Sequence, residues 1–450
     1  MLDWSIKYGT GGAEMMKRKG ISILVIMLIV MMALTALTGC SPGGGIEKAD
    51  TVIIGNIYTV DAEGNTAQAL AIKDGIYQYV GDEEGVQEYI GDSTEVIKTD
   101  GGMVMPGFFE AHAHASQGGV GNLFEVNLYE GTSMDDYIAT VAEFVKTHPE
   151  QKFITGAGWI NGYCPKGGPT KEALDQISKD IPIAIISGDH HSYWANSKAL
   201  ELAGITADTP DVKGGVIERN PATKEPTGTV RENANALITA IIPDYSVEQY
   251  KQGILAYQDE VKAYGITAYF EPMVNINGGT NLMEAYNELD KEGKLEMRVY
   301  GGLQILPDQD PLNYLDECVK LKEDSKGGNF EINAIKIFID GVVEGKTAYL
   351  IDDYASDPGF RGEPLWNQDL LNQVCAKADK LGLRIETHAI GDAAVKMIVD
   401  AYEYTAKTNN TKDSRHSITH LQVVDTADIE RMAKLNVIAS TNPYWFCKEP

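Results

Sequence analysis

The sequence runs to 450 residues with a net charge of −27 and an isoelectric point near 4.6. A surface this acidic repels phosphate backbones, which excludes nucleic acid as a partner on charge grounds. Hydrophobic residues make up 43% of the chain, enough for a large globular core, and the five cysteines have neither metal-ligand nor disulfide spacing.

Residues 1–39 read as an export signal: Lys17-Arg18-Lys19 is a positive start, and 21–36 is an apolar run too short for a comfortable membrane span. Leu37-Thr38-Gly39-Cys40 resembles the lipobox of bacterial lipoproteins. That resemblance implies cleavage before Cys40, a lipid on its sulfur, and a chain held to the outer face of the bacterial cell membrane. Residues 40–45 then form a Gly-rich tether.

Residues 46–103 read as short strands separated by turn signals, such as Lys73-Asp74-Gly75, and predict a small β domain. From 104 to 450 the texture changes to strands alternating with helical patterns, which predicts a parallel sheet. The first strand is expected over 103–114. Residues 117–245 form an inserted α+β subdomain, in which the Gly- and Pro-rich stretch 211–229 is expected to be a hairpin-like lid. Six further strands are expected at 265–270, 297–303, 334–340, 383–388, 417–422 and 437–441. Seven βα steps point to a (β/α)8 barrel of TIM type, with its chemistry at the carboxyl ends of the strands.

Chemistry-bearing residues fall at those ends. His112 and His114, at the end of the first strand, would share a face by the two-residue period and could chelate one divalent ion. Lys336 lies between isoleucines on the fourth strand, where burial would lower its pKa and free its amine; pairing with Asp340 is the alternative. His388 ends the fifth strand and His420 sits on the sixth. A lone strand-end histidine is more often a hydrogen-bonded core residue than a ligand, but two of them at the same end as His112 and His114 suggest a shared centre.

The stretches Glu110-Ala111-His112-Ala113-His114, Lys336-Ile337-Phe338-Ile339-Asp340-Gly341, Thr387-His388-Ala389-Ile390-Gly391-Asp392 and Thr419-His420-Leu421-Gln422 together resemble the amidohydrolase superfamily. The nearer likeness is to its amidohydrolase-3 (YtcJ-like) branch, which includes deformylases of N-substituted formamides. The resemblance implies a divalent metal centre on His112, His114, Lys336, His388 and His420, with Lys336 carboxylated between two ions. Zinc is expected, with manganese or iron as alternatives. It implies a small-molecule substrate with an amide-type C–N bond, and a pocket lined by His191 and Trp194 from the stretch 189–200. Glu271 and Asp340, on the second and fourth strands, are further candidate substrate contacts. The resemblance also calls for an eighth strand ending in a metal-binding, proton-carrying aspartate. No such strand is legible after 441, so a fragment of a longer enzyme is expected, and Glu271 or Asp340 become the alternative proton carriers. Two rival functions stay open at this point: an inactive metal-binding remnant, and a lipoprotein that captures a solute without chemistry.

If Cys40 is the lipidated residue, Cys40→Ala leaves a precursor that takes up no labelled fatty acid. Equal labelling of variant and parent would exclude lipidation at this site.

Overall fold

A computed structural model describes residues 46–443, apart from 214 and 344. The signal 1–39, Cys40 and the tether lie outside the described residues. The chain divides into one unit ending at Pro106 and a second beginning at Gly107.

The first unit holds a four-stranded sheet of β1 (Thr51–Tyr58), β2 (Thr66–Lys73), β3 (Ile76–Gly81) and β4 (Glu95–Val104), in the order β3-β2-β1-β4. β2 and β3 form an antiparallel hairpin, closed where Asp74 and Gly75 both take positive φ, the turn that matches strand twist. β4 runs parallel to β1 and pairs Met103 with Asn56 and Val104 with Ile57. Met103 and Val104 therefore belong to this sheet, which corrects the strand expected over 103–114.

The second unit begins its sheet with only three residues, β5 (Phe108–Glu110). Six more parallel strands follow: β12 (Ile266–Glu271), β13 (Arg298–Gln304), β14 (Phe330–Phe338), β15 (Arg384–Ala389), β16 (Ser417–His420) and β17 (Ile438–Ser440). They neighbour one another in chain order, β5 against β12 and so on to β17. Crossover helices separate them, among them Val247–Lys262, Gln368–Lys380 and Asp392–Asn409. Their starts are set by local chemistry. Ser246 and Gln249 form a reciprocal capping box before Val247, and the Asn367 side chain accepts the amides of Asp369 and Leu370. β15 is buried along nearly its whole length, as expected of a parallel strand covered on both faces, and Ile335, Ile385, Val395 and Ile418 meet in one core.

Between β5 and β12 the chain makes a second sheet, ordered β10-β11-β9-β8-β7-β6. Its strands are β6 (Glu125–Asn127), β7 (Ile154–Trp159), β8 (Ile183–Ser187), β9 (Ser192–Ala195), β10 (Gly215–Arg219) and β11 (Pro226–Glu232). The expected lid is the β10–β11 hairpin, but β11 pairs with β9 and so extends this sheet. Among the described residues no helix is long and apolar enough to cross a membrane.

The helix Ala115–Phe124, directly after the His-x-His pair, lies against Val247–Lys262 at a glycine contact. A Cβ on Gly119 would collide with the carbonyl oxygen of Gly253, and one on Gly253 would come within 2.7 Å of the Val120 amide. Both obstacles are backbone, so neither can move aside as a side chain would. Gly119→Ala is expected to lower unfolding stability by about 1–3 kcal/mol, the usual scale of overpacking, as read by urea denaturation.

Candidate metal centre

The two histidines of the pair are not on a strand. β5 ends at Glu110, and the chain continues as an irregular segment that the Ala113 amide ties to the Phe270 carbonyl at 3.0 Å. The Glu110 carboxylate accepts the amide of His112 at 3.1 Å, and His114 is the residue on which the next helix starts. Their placement comes from this stitching and not from strand alternation.

The other ligand candidates follow the sheet register. Lys336 sits opposite Glu386, Phe338 opposite His388, and Ala389 opposite His420. His420 and Leu421 both have positive φ, 77° and 52°, a conformation that non-glycine residues rarely adopt. The kink ends β16 at His420.

The four rings converge. Ring centroids lie 5.3 Å apart for His112 and His114, 5.2 Å for His112 and His420, and 4.6 Å for His388 and His420, all edge to face. Burial pushes every imidazole pKa down, to about 3 for His114, about 4 for His388 and about 2 for His420, with the neighbouring rings or Lys336 adding to the effect. All four rings are therefore neutral at pH 7, the form that donates a lone pair to a metal.

Lys336 is fully buried, and its Nζ has no hydrogen-bond partner among the described residues. It lies 5.0 Å from the Phe338 ring centroid. Burial lowers its pKa to about 8, opposed by the charge of Glu386. The alternative of a Lys336–Asp340 pair does not form. Both oxygens of Asp340 are taken by backbone amides: Ile390 at 3.0 Å, Gly391 at 2.8 Å and Tyr349 at 2.9 Å. Asp340 thus sews the loop after β14 to the loop after β15 and is not open to a substrate. The same loop positions His388, whose Nε2 lies 3.0 Å from the Gly341 carbonyl oxygen.

Glu271, at the end of β12, is also buried. One oxygen accepts the Ser116 amide at 3.0 Å and the Tyr286 hydroxyl at 3.1 Å, while Oε1 has no hydrogen-bond partner among the described residues and stands 3.9 Å from His114 Nδ1. Burial raises its pKa to about 7 against those hydrogen bonds. Glu386 carries no signal in the sequence that marks it out, yet its Oε1 lies 3.2 Å from His112 Nδ1.

The insertion residues separate. Trp194 is fully buried in the insertion's own core and donates its indole N–H to the Thr170 carbonyl at 2.9 Å, so it lines no substrate pocket. Nearby, Asn196 accepts the amides of Ile183 and Ala199 and caps the helix Ser197–Leu202, which gives this part of the stretch 189–200 a structural role. His191 is partly exposed, bonds Glu232 through Nδ1 at 3.0 Å, and approaches Gly345 in the loop after β14.

Among the described residues no three His, Cys, Asp or Glu side chains already form a metal-binding group. The donor set nonetheless fits a cation. Among the described residues His112 Nε2, Lys336 Nζ and Glu271 Oε1 are buried without a hydrogen-bond partner, and an orphaned buried polar atom is costly unless something binds it.

The parallel sheet with its crossover helices and strand-end cluster places the chain in the class of TIM-like half-barrels. The chain belongs to the amidohydrolase family, whose sequence pattern matches residues 95–448, and with it to the hydrolases that act on carbon–nitrogen bonds. It is 30% identical to a Bacillus subtilis protein described as amidohydrolase YtcJ, over 88% of this chain and 73% of that one. It is 27% identical to the N-substituted formamide deformylase of Arthrobacter pascens, again over 88% and 73%. Among solved structures, a metal-dependent hydrolase from Pyrococcus horikoshii superposes with a TM-score of 0.70 at 27% identity, covering 88% of this chain and 75% of that one.

Removing the Asp340 carboxylate strands three backbone amides, each costing about 1–3 kcal/mol when buried. Asp340→Ala is accordingly expected to lose several kcal/mol of stability. A fall in Tm of only a degree or two would refute this sewing role.

Proposed function

We propose that the protein is a metal-dependent hydrolase of N-acyl or N-formyl amines, with a divalent cation held by His112, His114, Lys336, His388 and His420. The observation that carries this reading is the convergence of four neutral imidazoles beside a buried amine that has no acceptor among the described residues. Likeness to the Arthrobacter deformylase and to the Pyrococcus metal-dependent hydrolase supports the substrate class and the metal. Zinc suits imidazole ligands, with manganese and iron as alternatives.

A bound divalent ion supplies a Lewis acid for the scissile carbonyl and a water acidified toward neutral pH. The chain's own groups do the rest. Lys336 Nζ, held near neutrality by burial, attacks the carbon of CO₂; an N–C bond forms, an oxygen takes the displaced electron pair, and the nitrogen gives up a proton. The resulting carbamate would be anionic, and its oxygens would join the four imidazoles in holding the divalent ion. Glu271, rigid on Ser116 and Tyr286, keeps Oε1 available to accept a proton from water and return it to the departing amine nitrogen. His191, on the insertion side of the loop after β14, is the group placed to contact the substrate's distal part. Export and lipid attachment at Cys40 complete the proposal and place the reaction outside the bacterial cell membrane.

The test is elemental analysis of the purified chain, followed by hydrolysis assays on a panel of N-formyl and N-acyl amines. Ala at His112, His114, His388 or His420 is expected to bring bound metal well below the parent level. Lys336→Arg keeps the charge but forms no carbamate, and is expected to fail as Lys336→Ala does, with short carboxylic acids partly restoring the Ala variant. Full metal content in Lys336→Arg would make Lys336 a structural cation. A parent protein without metal and without hydrolysis would overturn the whole reading.

A further inference from the structure

We infer that Glu386 is a positioning residue that fixes the tautomer of His112, so that Nε2 of this ring carries a lone pair toward the centre. The inference rests in part on the metal-centre reading above, but its first test does not.

β15 points Glu386 and His388 to the same face, because side chains alternate along a strand. One strand therefore delivers a histidine at its end and, two residues deeper, a carboxylate that meets a histidine from another part of the barrel. The contact is direct, with Glu386 Oε1 at 3.2 Å from His112 Nδ1. The other carboxylate oxygen is already committed. It accepts the Ser417 hydroxyl and faces Arg384 Nη2 at 3.4 Å. Arg384 is itself braced, its guanidinium 4.8 Å from the Phe270 ring centroid.

Glu386 is 1% exposed, and a buried carboxylate persists only where its oxygens find donors. For Oε1 the donor is the N–H of His112. The Ser417 hydroxyl and the Arg384 guanidinium both turn to the other oxygen, which leaves Oε1 as the acceptor facing His112. The proton of His112 is thereby held on Nδ1. Nε2 is left as the acceptor, buried and without a hydrogen-bond partner among the described residues. Carboxylates that orient metal-binding imidazoles in this way typically matter 10–100-fold in affinity.

The committed oxygen makes an unusually sharp test available. In Glu386→Gln the Arg384 guanidinium, which can only donate, favours the amide oxygen on its side. The amide NH₂ then faces His112 Nδ1, which can only accept from it, and the imidazole proton moves to Nε2. A nearly isosteric change should thus reverse the tautomer, whereas Glu386→Ala merely removes the preference.

The experiment is ¹⁵N imidazole NMR on metal-free protein, with His112→Asn assigning the His112 signals, followed by zinc titration against a competing chelator. The expected result is Nδ1–H on His112 in the parent, Nε2–H in Glu386→Gln, and zinc affinity about 10–100-fold weaker in the Gln variant, with Ala no worse than Gln. Nε2–H in the parent would overturn the inference, and this needs no Glu386 variant to fold. So would an Ala variant that keeps both Nδ1–H and the parent's zinc affinity, or a Gln variant with Nε2–H that binds zinc within twofold of the parent. A parent with Nδ1–H that binds no zinc would support the positioning role of Glu386 while removing the metal reading of the site.

Discussion

A lysine amine enclosed by protein, with no carbonyl or carboxylate among the described residues to receive its protons, is the constraint around which the strand-end site is built. Solvation by water is lost there, and an ion without compensation costs several kcal/mol to hold in such a place. The enclosure acts on every group that surrounds Lys336. It keeps the four imidazoles neutral and pushes the Glu271 carboxyl up toward neutrality, while Glu386 remains ionised only through its donors. The neutral states follow from dryness and not from any one ion pair, whereas Glu386 is ionised against it.

Much of this was legible in the sequence because parallel strands under helices are nearly continuous apolar runs. A lysine or a histidine inside such a run stands out. Lys336, His388 and His420 could be placed on the right strands for that reason. The face shared by His112 and His114 was inferred from a two-residue alternation that does not apply, since the strand stops at Glu110 and the pair is held by the Ala113–Phe270 and Glu110–His112 hydrogen bonds. Met103 and Val104 were assigned to the barrel because apolar texture alone does not say which of two sheets a strand joins.

The residues that misled share a physical cause. Trp194 and Asp340 are distinctive in the sequence, but a tryptophan with a satisfied indole N–H and a carboxylate whose oxygens take backbone amides serve packing as readily as binding. Glu386 shows the converse. It is one acidic residue among many, and only the pairing of β15 with its neighbours reveals that it meets His112. His416 marks the limit of reasoning from strand ends. It precedes β16 at the opposite end from His420, accepts the Ile385 amide and faces Asp379 at 3.3 Å, and it has the enclosed surroundings of a ligand without any neighbouring imidazole cluster.

The left-handed turn at His420 and Leu421 bears on how this protein could be made more robust. Replacing a strained residue by glycine is a standard route to relief, and the strain at such a position is of order 1–3 kcal/mol. Leu421, however, is 6% exposed within the main core, and its amide is bonded to the Ala389 carbonyl at 3.1 Å. Deleting a buried leucine side chain costs about 2–5 kcal/mol, which equals or exceeds the strain that glycine would release. Stabilisation campaigns that sample single substitutions should therefore leave this turn untouched, and the awkward backbone that aims His420 is sheltered from drift by the packing of its neighbour.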